Sequence, residues 1–135
     1  MEECLFCKIV KGELPSSKLY EDEDTLAFLD LFPVNKGHSL VIPKEHYETI
    51  FDVPANILAK VSSVMKNVAD AVKKGVNADG VYIAQSNGKD AGQVIPHIHF
   101  HVIPRFKGDR LKLWPHGKYG EGEIEKFKED ISKFL

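Results

Sequence analysis

"PHIHFHVIPR", residues 96–105, carries three of the chain's six histidines at alternate positions, with Ile98, Phe100 and Val102 between them. Successive side chains of a strand point to opposite faces, so an extended reading gathers His97, His99 and His101 on one face and the apolar residues on the other. A helix would scatter the imidazoles. The β-branched and aromatic residues favour the strand, and Pro96 and Pro104 are expected to close its two ends. Isolated strand histidines are commonly just hydrogen-bonded residues, and a histidine tract can be a purification tag. An internal run that alternates with core residues is not a tag. Three imidazoles on one face suit metal binding or work on a charged substrate.

Outward from this strand, "GVYIAQS" (80–86) reads as its neighbour, joined through the loop "NGKDAGQVIP" (87–96). Residues 55–74 give the strongest helical periodicity: Ile57, Leu58, Val61, Val64, Met65, Val68 and Val72 form one stripe. Asp52 is the expected cap at its start and Gly75 at its end. Strands are expected at 17–22, 25–31 and 38–43, the first two turned by the acidic "EDED" and the third entered through the loop "FPVNKG". Residues 4–10 read as a short helix stopped by Gly12. Residues 106–120 read as irregular and 123–135 as an amphipathic helix, with Ile124, Phe127, Ile131 and Phe134 on one side. The fold class is therefore α+β with a mostly antiparallel sheet, in one domain spanning residues 1–135 with a C-terminal extension from 106.

A net charge of −2 over 135 residues argues against general nucleic-acid binding, which leaves a basic footprint. No apolar run approaches the roughly 18 residues of a membrane span. The start "MEECLFCKIV" opens with acids and lacks the basic region of a signal peptide, so a cytoplasmic location is expected. Cys4 and Cys7 are the only cysteines. A CxxC pair can be a redox couple, half of a zinc site or a coincidence. So close to the start there is no room for the strand that precedes a thioredoxin-like redox motif, which favours zinc. Zinc needs two further ligands, and the histidines can supply them.

The run from His97 to Ile103 resembles the signature of the histidine-triad (HIT) nucleotide-binding family. "LAFLDLFPVNKGHSLVIPKEH" is similar to that family's N-terminal half and "NGKDAGQ" to its loop before the triad, so the resemblance spans residues 4–105. It implies a HIT-like fold, a five-stranded antiparallel sheet with one long helix and a short N-terminal helix, joined to a partner's sheet in a homodimer to which Trp114 and the C-terminal segment cross. It implies a hydrolase or transferase that cuts at the α-phosphate of AMP-type nucleotides. His99 would be the nucleophile that forms a nucleotidyl-histidine, with His97 and His101 flanking it and His38 fixing a ring tautomer. Asp30 would bond the ribose, Phe6, Ile9, Phe28 and Leu31 would hold a purine base, and Asn87, Gly92 and Gln93 would hold the phosphate.

In zinc-bearing members of that family the ligands correspond to Cys4, Cys7, His46 and His97, and the metal is structural. No magnesium requirement is expected, because no acidic cluster stands ready to hold it. One departure is Val94, where many members carry a Ser or Thr able to bond the leaving group. The substrate classes implied are phosphoramidates and dinucleoside polyphosphates; "PRFKGD" is similar to the branches that cut the latter, while the chain length suits the small branch. A nucleotide-binding adaptor or a zinc-stabilised interaction module are the alternatives. His116 is expected to be a solvated loop residue.

Overall fold

The computed structural model describes residues 3–135; Met1 and Glu2 of the quoted N-terminus lie outside the described residues. Five strands, β1 (Lys18–Glu21), β2 (Thr25–Leu29), β3 (Ser39–Pro43), β4 (Gly80–Ala84) and β5 (Phe100–Arg105), form one sheet in the order β1-β2-β3-β5-β4, with every neighbouring pair antiparallel. The short helix α1 (Leu5–Val10), the long helix α2 (Ala55–Gly75) and the C-terminal α3 (Glu123–Ser132) complete it.

The sheet is apolar on both faces, and each face has its own helix. Val61, Val64, Val68 and Val72 of α2 pack on Ala27, Val41, Ile98, Phe100 and Val102. The alternate residues of the same strands, Leu26, Phe28, Leu40 and Ile42, pack under Phe6, Cys7 and Ile9 of α1. The period of two thus serves two cores at once. The imidazole face of the triad segment, which alternation alone leaves open, lies in the second core: His97 and His99 are buried.

Both ends of β5 and both ends of α2 differ from expectation. Regular pairing of β5 starts only at Phe100; ahead of it, the Ile98 N–H donates to the Tyr47 carbonyl (2.7 Å) instead of continuing the ladder. Pro104, expected to end the strand, lies inside it opposite Val81. It is tolerated because β3 pairs with β5 only as far as Ser39 opposite Val102, so no ladder bond from β3 is lost at Pro104, and its carbonyl accepts from Asn35 Nδ2 (2.8 Å). The cap of α2 is Pro54, not Asp52; the Asp52 carboxylate instead accepts the N–H groups of Glu48 (3.0 Å) and Thr49 (2.7 Å), closing the preceding turn. At the other end Gly75 is still helical. Val76 caps the helix and Asn77 makes the left-handed turn at φ 54°.

The "EDED" stretch does more than turn the β1–β2 hairpin. Asp24 pairs with Lys60 of α2 (2.7 Å) and Glu21 with Lys44 (2.7 Å), tying the hairpin to its neighbours. Among the described residues the apolar side of α3 finds no cover: Ile124 and Ile131 are 59% and 61% exposed. No helix among the described residues is long and apolar enough to cross a membrane.

Candidate active site and metal centre

The four histidines His38, His97, His99 and His101 meet on the α1 side of the sheet. His101 lies opposite Leu40 in the β3–β5 ladder, and His38 enters just before β3. The ring of Phe6 stands edge-on to both His97 (5.9 Å) and His99 (5.1 Å), so α1 walls the group from above.

Hydrogen-bond partners assign the neutral tautomers. His99 Nδ1 donates to the His97 carbonyl (2.7 Å), which leaves its Nε2 bare. His97 is held the opposite way round: its Nε2 donates to the Pro43 carbonyl (2.8 Å), leaving Nδ1 bare. His38 Nδ1 accepts the Val34 N–H (3.1 Å), so its proton is on Nε2 and points at His101 Nδ1 (3.0 Å). His101 therefore carries its own proton on Nε2. Burial holds all four rings below the usual histidine range, His97 and His101 at about 4. At neutral pH they are uncharged, and His99 offers a nucleophilic lone pair beside a proton donor.

The bare Nδ1 of His97 faces Cys4 Sγ (3.5 Å) and Cys7 Sγ (3.6 Å), and His46 Nδ1 lies 3.3 Å from Cys7 Sγ. All four ligand atoms fall within 4.8 Å of one another. α1 creates the pair: Cys4 is its N-cap, accepting the Cys7 N–H on Sγ (3.4 Å), and a spacing of three puts both sulfurs on one side of the turn. Zinc bonded to sulfur at about 2.3 Å and nitrogen at about 2.0 Å in a tetrahedron sets its ligands roughly 3.5 Å apart. The donor set and its spacing fit that ion. Burial and the neighbouring Cys4 thiol push the Cys7 thiol up to about 11, a penalty on the thiolate that a bound cation reverses.

A second ligand-like group, Asp30, His38 and His101, also gathers its atoms within 4.8 Å. The tautomers argue against a metal there, because Nε2 of His38 carries the proton it gives to His101. Asp30 Oδ2, 3.7 Å from that Nε2, adds a negative charge to the relay.

Of the other residues singled out in the sequence, Phe6, Ile9, Phe28, Asp30 and Leu31 line one cleft between α1 and the end of β2. Gly92 and Gln93 line a separate depression with Glu48, Gly88, Val94 and Pro96. Gln93 is bound to its own loop, accepting from the Gly88 N–H (2.8 Å) and donating to Glu48 and Ile95 carbonyls; Asn87 accepts the Ile50 N–H (2.7 Å) and pairs with Gln85. Among the described residues no hydrogen bond joins these loop amides to the histidines. Gly92 adopts φ 94°, which its lack of a side chain permits. His116 is exposed. A groove of about 1090 Å³ between β1, β2 and the end of α2 has Leu19, Leu29, Val72 and Phe106 in its lining and none of the site histidines.

The sequence gives no sign of the backbone groups that set these tautomers, the Val34 N–H and the carbonyls of Pro43 and His97. Asn35 and Asp109, which brace the loop ahead of His38, also escape it. Only the Asn in "FPVNKG" and the charges in "PRFKGD" are visible there.

A sheet of five antiparallel strands with a histidine triad on one face defines a class of nucleotide-handling proteins, and the family model for the HIT domain matches residues 11–108. The chain belongs to the HIT family. It is 38% identical to a Candida albicans protein named adenosine 5'-monophosphoramidase, over 96% of this chain and 92% of that one. It is 44% identical to an Arabidopsis thaliana protein named adenylylsulfatase, over 81% of this chain and 55% of that one. The crystal structure of a Streptococcus mutans protein superposes with a TM-score of 0.94 at 41% identity, covering 99% of this chain and 86% of the other. A zinc-bound histidine-triad protein from Mycobacterium smegmatis gives a TM-score of 0.79 at 42% identity, covering 87% and 85%.

Proposed function

We propose that this chain hydrolyses purine nucleotides of the adenylyl type at the α-phosphate, through a covalent intermediate on His99, with phosphoramidates as the favoured substrates over dinucleoside polyphosphates. The observation that carries the proposal is the tautomer of His99, whose Nε2 lone pair is free while Nδ1 is anchored. The base enters the cleft of Phe6, Ile9, Phe28 and Leu31, Asp30 takes the ribose hydroxyls, and the loop of Asn87, Gly92 and Gln93 closes on the phosphate from the far side. His99 Nε2 attacks phosphorus as the bond to the leaving group breaks; an amidate nitrogen that has taken a proton from solvent departs as the neutral amine, and the Nε2–H of His101 donates a hydrogen bond to it as it leaves. The imidazolium formed on His99 is stabilised by its Nδ1–H bond to the His97 carbonyl. Water then attacks phosphorus as the bond to His99 breaks, and its proton passes to solvent, releasing the nucleoside monophosphate and neutral His99. His97 acts through its carbonyl, its ring nitrogens being directed to Pro43 and the cysteines.

Cys4, Cys7, His46 and His97 would hold a structural zinc, which supplies a tie between α1 and the triad segment and no step of the reaction. The Mycobacterium smegmatis relative described as zinc-bound supports this, as does the donor geometry. We propose further that two copies associate. The unpaired outer edge of β4 and the uncovered apolar side of α3 support this, and sedimentation of the purified protein tests it.

Quenching with an adenylyl amidate in hand should give, by intact mass, one nucleoside-monophosphate adduct that maps to the His99 peptide. An adduct on His97 or His101 would refute the assignment. Rates on the amidate and on a diadenosine polyphosphate, measured side by side, decide the substrate class.

A further inference from the structure

The stretch "PRFKGD" that follows the triad has no part in the chemistry above, yet its last residue is among the most heavily bonded side chains of the molecule. Asp109 Oδ2 accepts from Arg105 Nε (2.8 Å), the Phe106 N–H (3.0 Å) and Asn35 Nδ2 (3.2 Å), and Oδ1 accepts from Arg105 Nη2 (2.9 Å) and the Leu111 N–H (3.0 Å). A tight turn directs the carboxylate back onto its own strand: Asp109 N–H bonds the Phe106 carbonyl (3.0 Å), and Gly108 and Arg110 on either side have φ 79° and 63°. Five hydrogen bonds to one carboxylate, two in a bidentate Arg fork, hold its position closely.

Asn35 carries that rigidity to the catalytic group. Its Nδ2 bridges Asp109 and the Pro104 carbonyl (2.8 Å), and its own carbonyl accepts the His38 N–H (2.9 Å). Its neighbour Val34 supplies the N–H that fixes the His38 tautomer. Gly37 lets this loop press close: a side-chain carbon there would stand 3.0 Å from Val76 and 3.4 Å from Pro104. The chain of contacts runs from Asp109 to Asn35, to the 34–38 loop, to His38 Nδ1, and through His38 Nε2 to His101.

We propose that Asp109 is a positioning residue: through Asn35 it holds the Val34 N–H against His38 Nδ1, so that His38 keeps its proton on Nε2 and His101 is kept in the tautomer that donates to the leaving group. Its kinetic part rests on the hydrolase proposal; its tautomer part does not. If Val34 drifts away, the Nδ1 lone pair of His38 loses its donor and only Asp30, 3.7 Å from Nε2, still favours the proton there, so the proton is shared with Nδ1 and His101 then loses the donor that defines its own tautomer.

The test is Asp109→Asn in the full chain, read by long-range 1H–15N correlation of the histidine rings, with His38 assigned from a His38→Gln variant, and by steady-state kinetics on an adenylyl amidate. The wild type should show His38 as a single Nε2–H tautomer. In the variant His38 should become a mixture, with kcat down about 10- to 100-fold and KM within about twofold, since ground-state binding is untouched. A folded variant in which His38 keeps its tautomer overturns the proposal whatever kcat does, and so does a mixed tautomer with kcat unchanged. Should Asp109→Asn fail to fold, Asn35→Ala cuts the same link while leaving the Arg105 fork intact, and the same two readouts decide. Absence of wild-type turnover would defeat the hydrolase proposal and leave the tautomer measurement standing.

Discussion

His97 and His99 lie two residues apart, on the same side of one segment and under the same phenylalanine, yet they present opposite nitrogens. His97 gives its Nε2 proton to Pro43 and turns a bare Nδ1 to two cysteines; His99 gives its Nδ1 proton to His97 and keeps Nε2 free. The first arrangement suits a metal ligand and the second the nucleophile proposed above. Side-chain chemistry is identical in the two, so the difference lies wholly in which carbonyl each ring meets. A histidine's function is written by its neighbour's backbone as much as by its own identity.

That contrast can be broken from either end. The largest effect is expected for His99→Asn, which removes the atom proposed to bond phosphorus: turnover should fall on the order of 10⁵-fold or more while nucleotide affinity, read by Trp114 fluorescence or calorimetry, stays near wild type. His101→Ala removes a hydrogen-bond donor rather than the proposed nucleophile, and a loss of about 10²- to 10⁴-fold is expected, with Tm at pH 7 little changed. The metal end should behave in reverse. Cys4→Ser should abolish zinc, measured by elemental analysis as near one per chain in the wild type, and lower Tm on the order of 10 °C. Equal stability with and without zinc would remove the metal's structural role.

A smaller effect concerns acid. Burial keeps His101 near 4 and His38 below the ordinary range, whereas in the unfolded chain both titrate near 6.5. As pH falls below about 6.5 the unfolded state takes up protons first, so stability is full above that value and declines toward pH 4. His101→Ala should flatten this decline in Tm between pH 7 and 5, and an unchanged slope would contradict the burial argument. The smallest expected effect is that of magnesium. Adding it to the metal-free assay should change the rate less than about twofold, since the His38–His101 group offers one carboxylate where the ion prefers several oxygens.

Much of this was legible in residues 96–105. Alternation correctly assigned Ile98, Phe100 and Val102 to the core under α2, and the α2 stripe itself followed from its period of 3.6. Alternation could not tell that the imidazole side is buried too, because that depends on α1 being carried across the sheet. Pro104 misled as a strand end, since a proline's tolerance depends on where the neighbouring strand stops. Asp52 misled as a cap because its carboxylate is claimed by a turn that local pattern does not reveal. The acidic hairpin was read only as a turn, because the lysines that pair with it lie 23 and 36 residues on.

By itself the sequence determined the periodicities, and with them the five strands, the long helix and the residue types available for chemistry. Spacing singled out Cys4 and Cys7, and only the resemblance added His46 and His97 to complete the set that the structure gathers. Only the tertiary structure decided which nitrogen of each histidine is free. That choice belongs to the carbonyls of Pro43 and His97, which every residue carries, and to the N–H of Val34, which every residue but proline carries. Hydrogen-bond donors and acceptors of the main chain have no signature in sequence, and they acquire one only when folding brings a particular ring to a particular carbonyl.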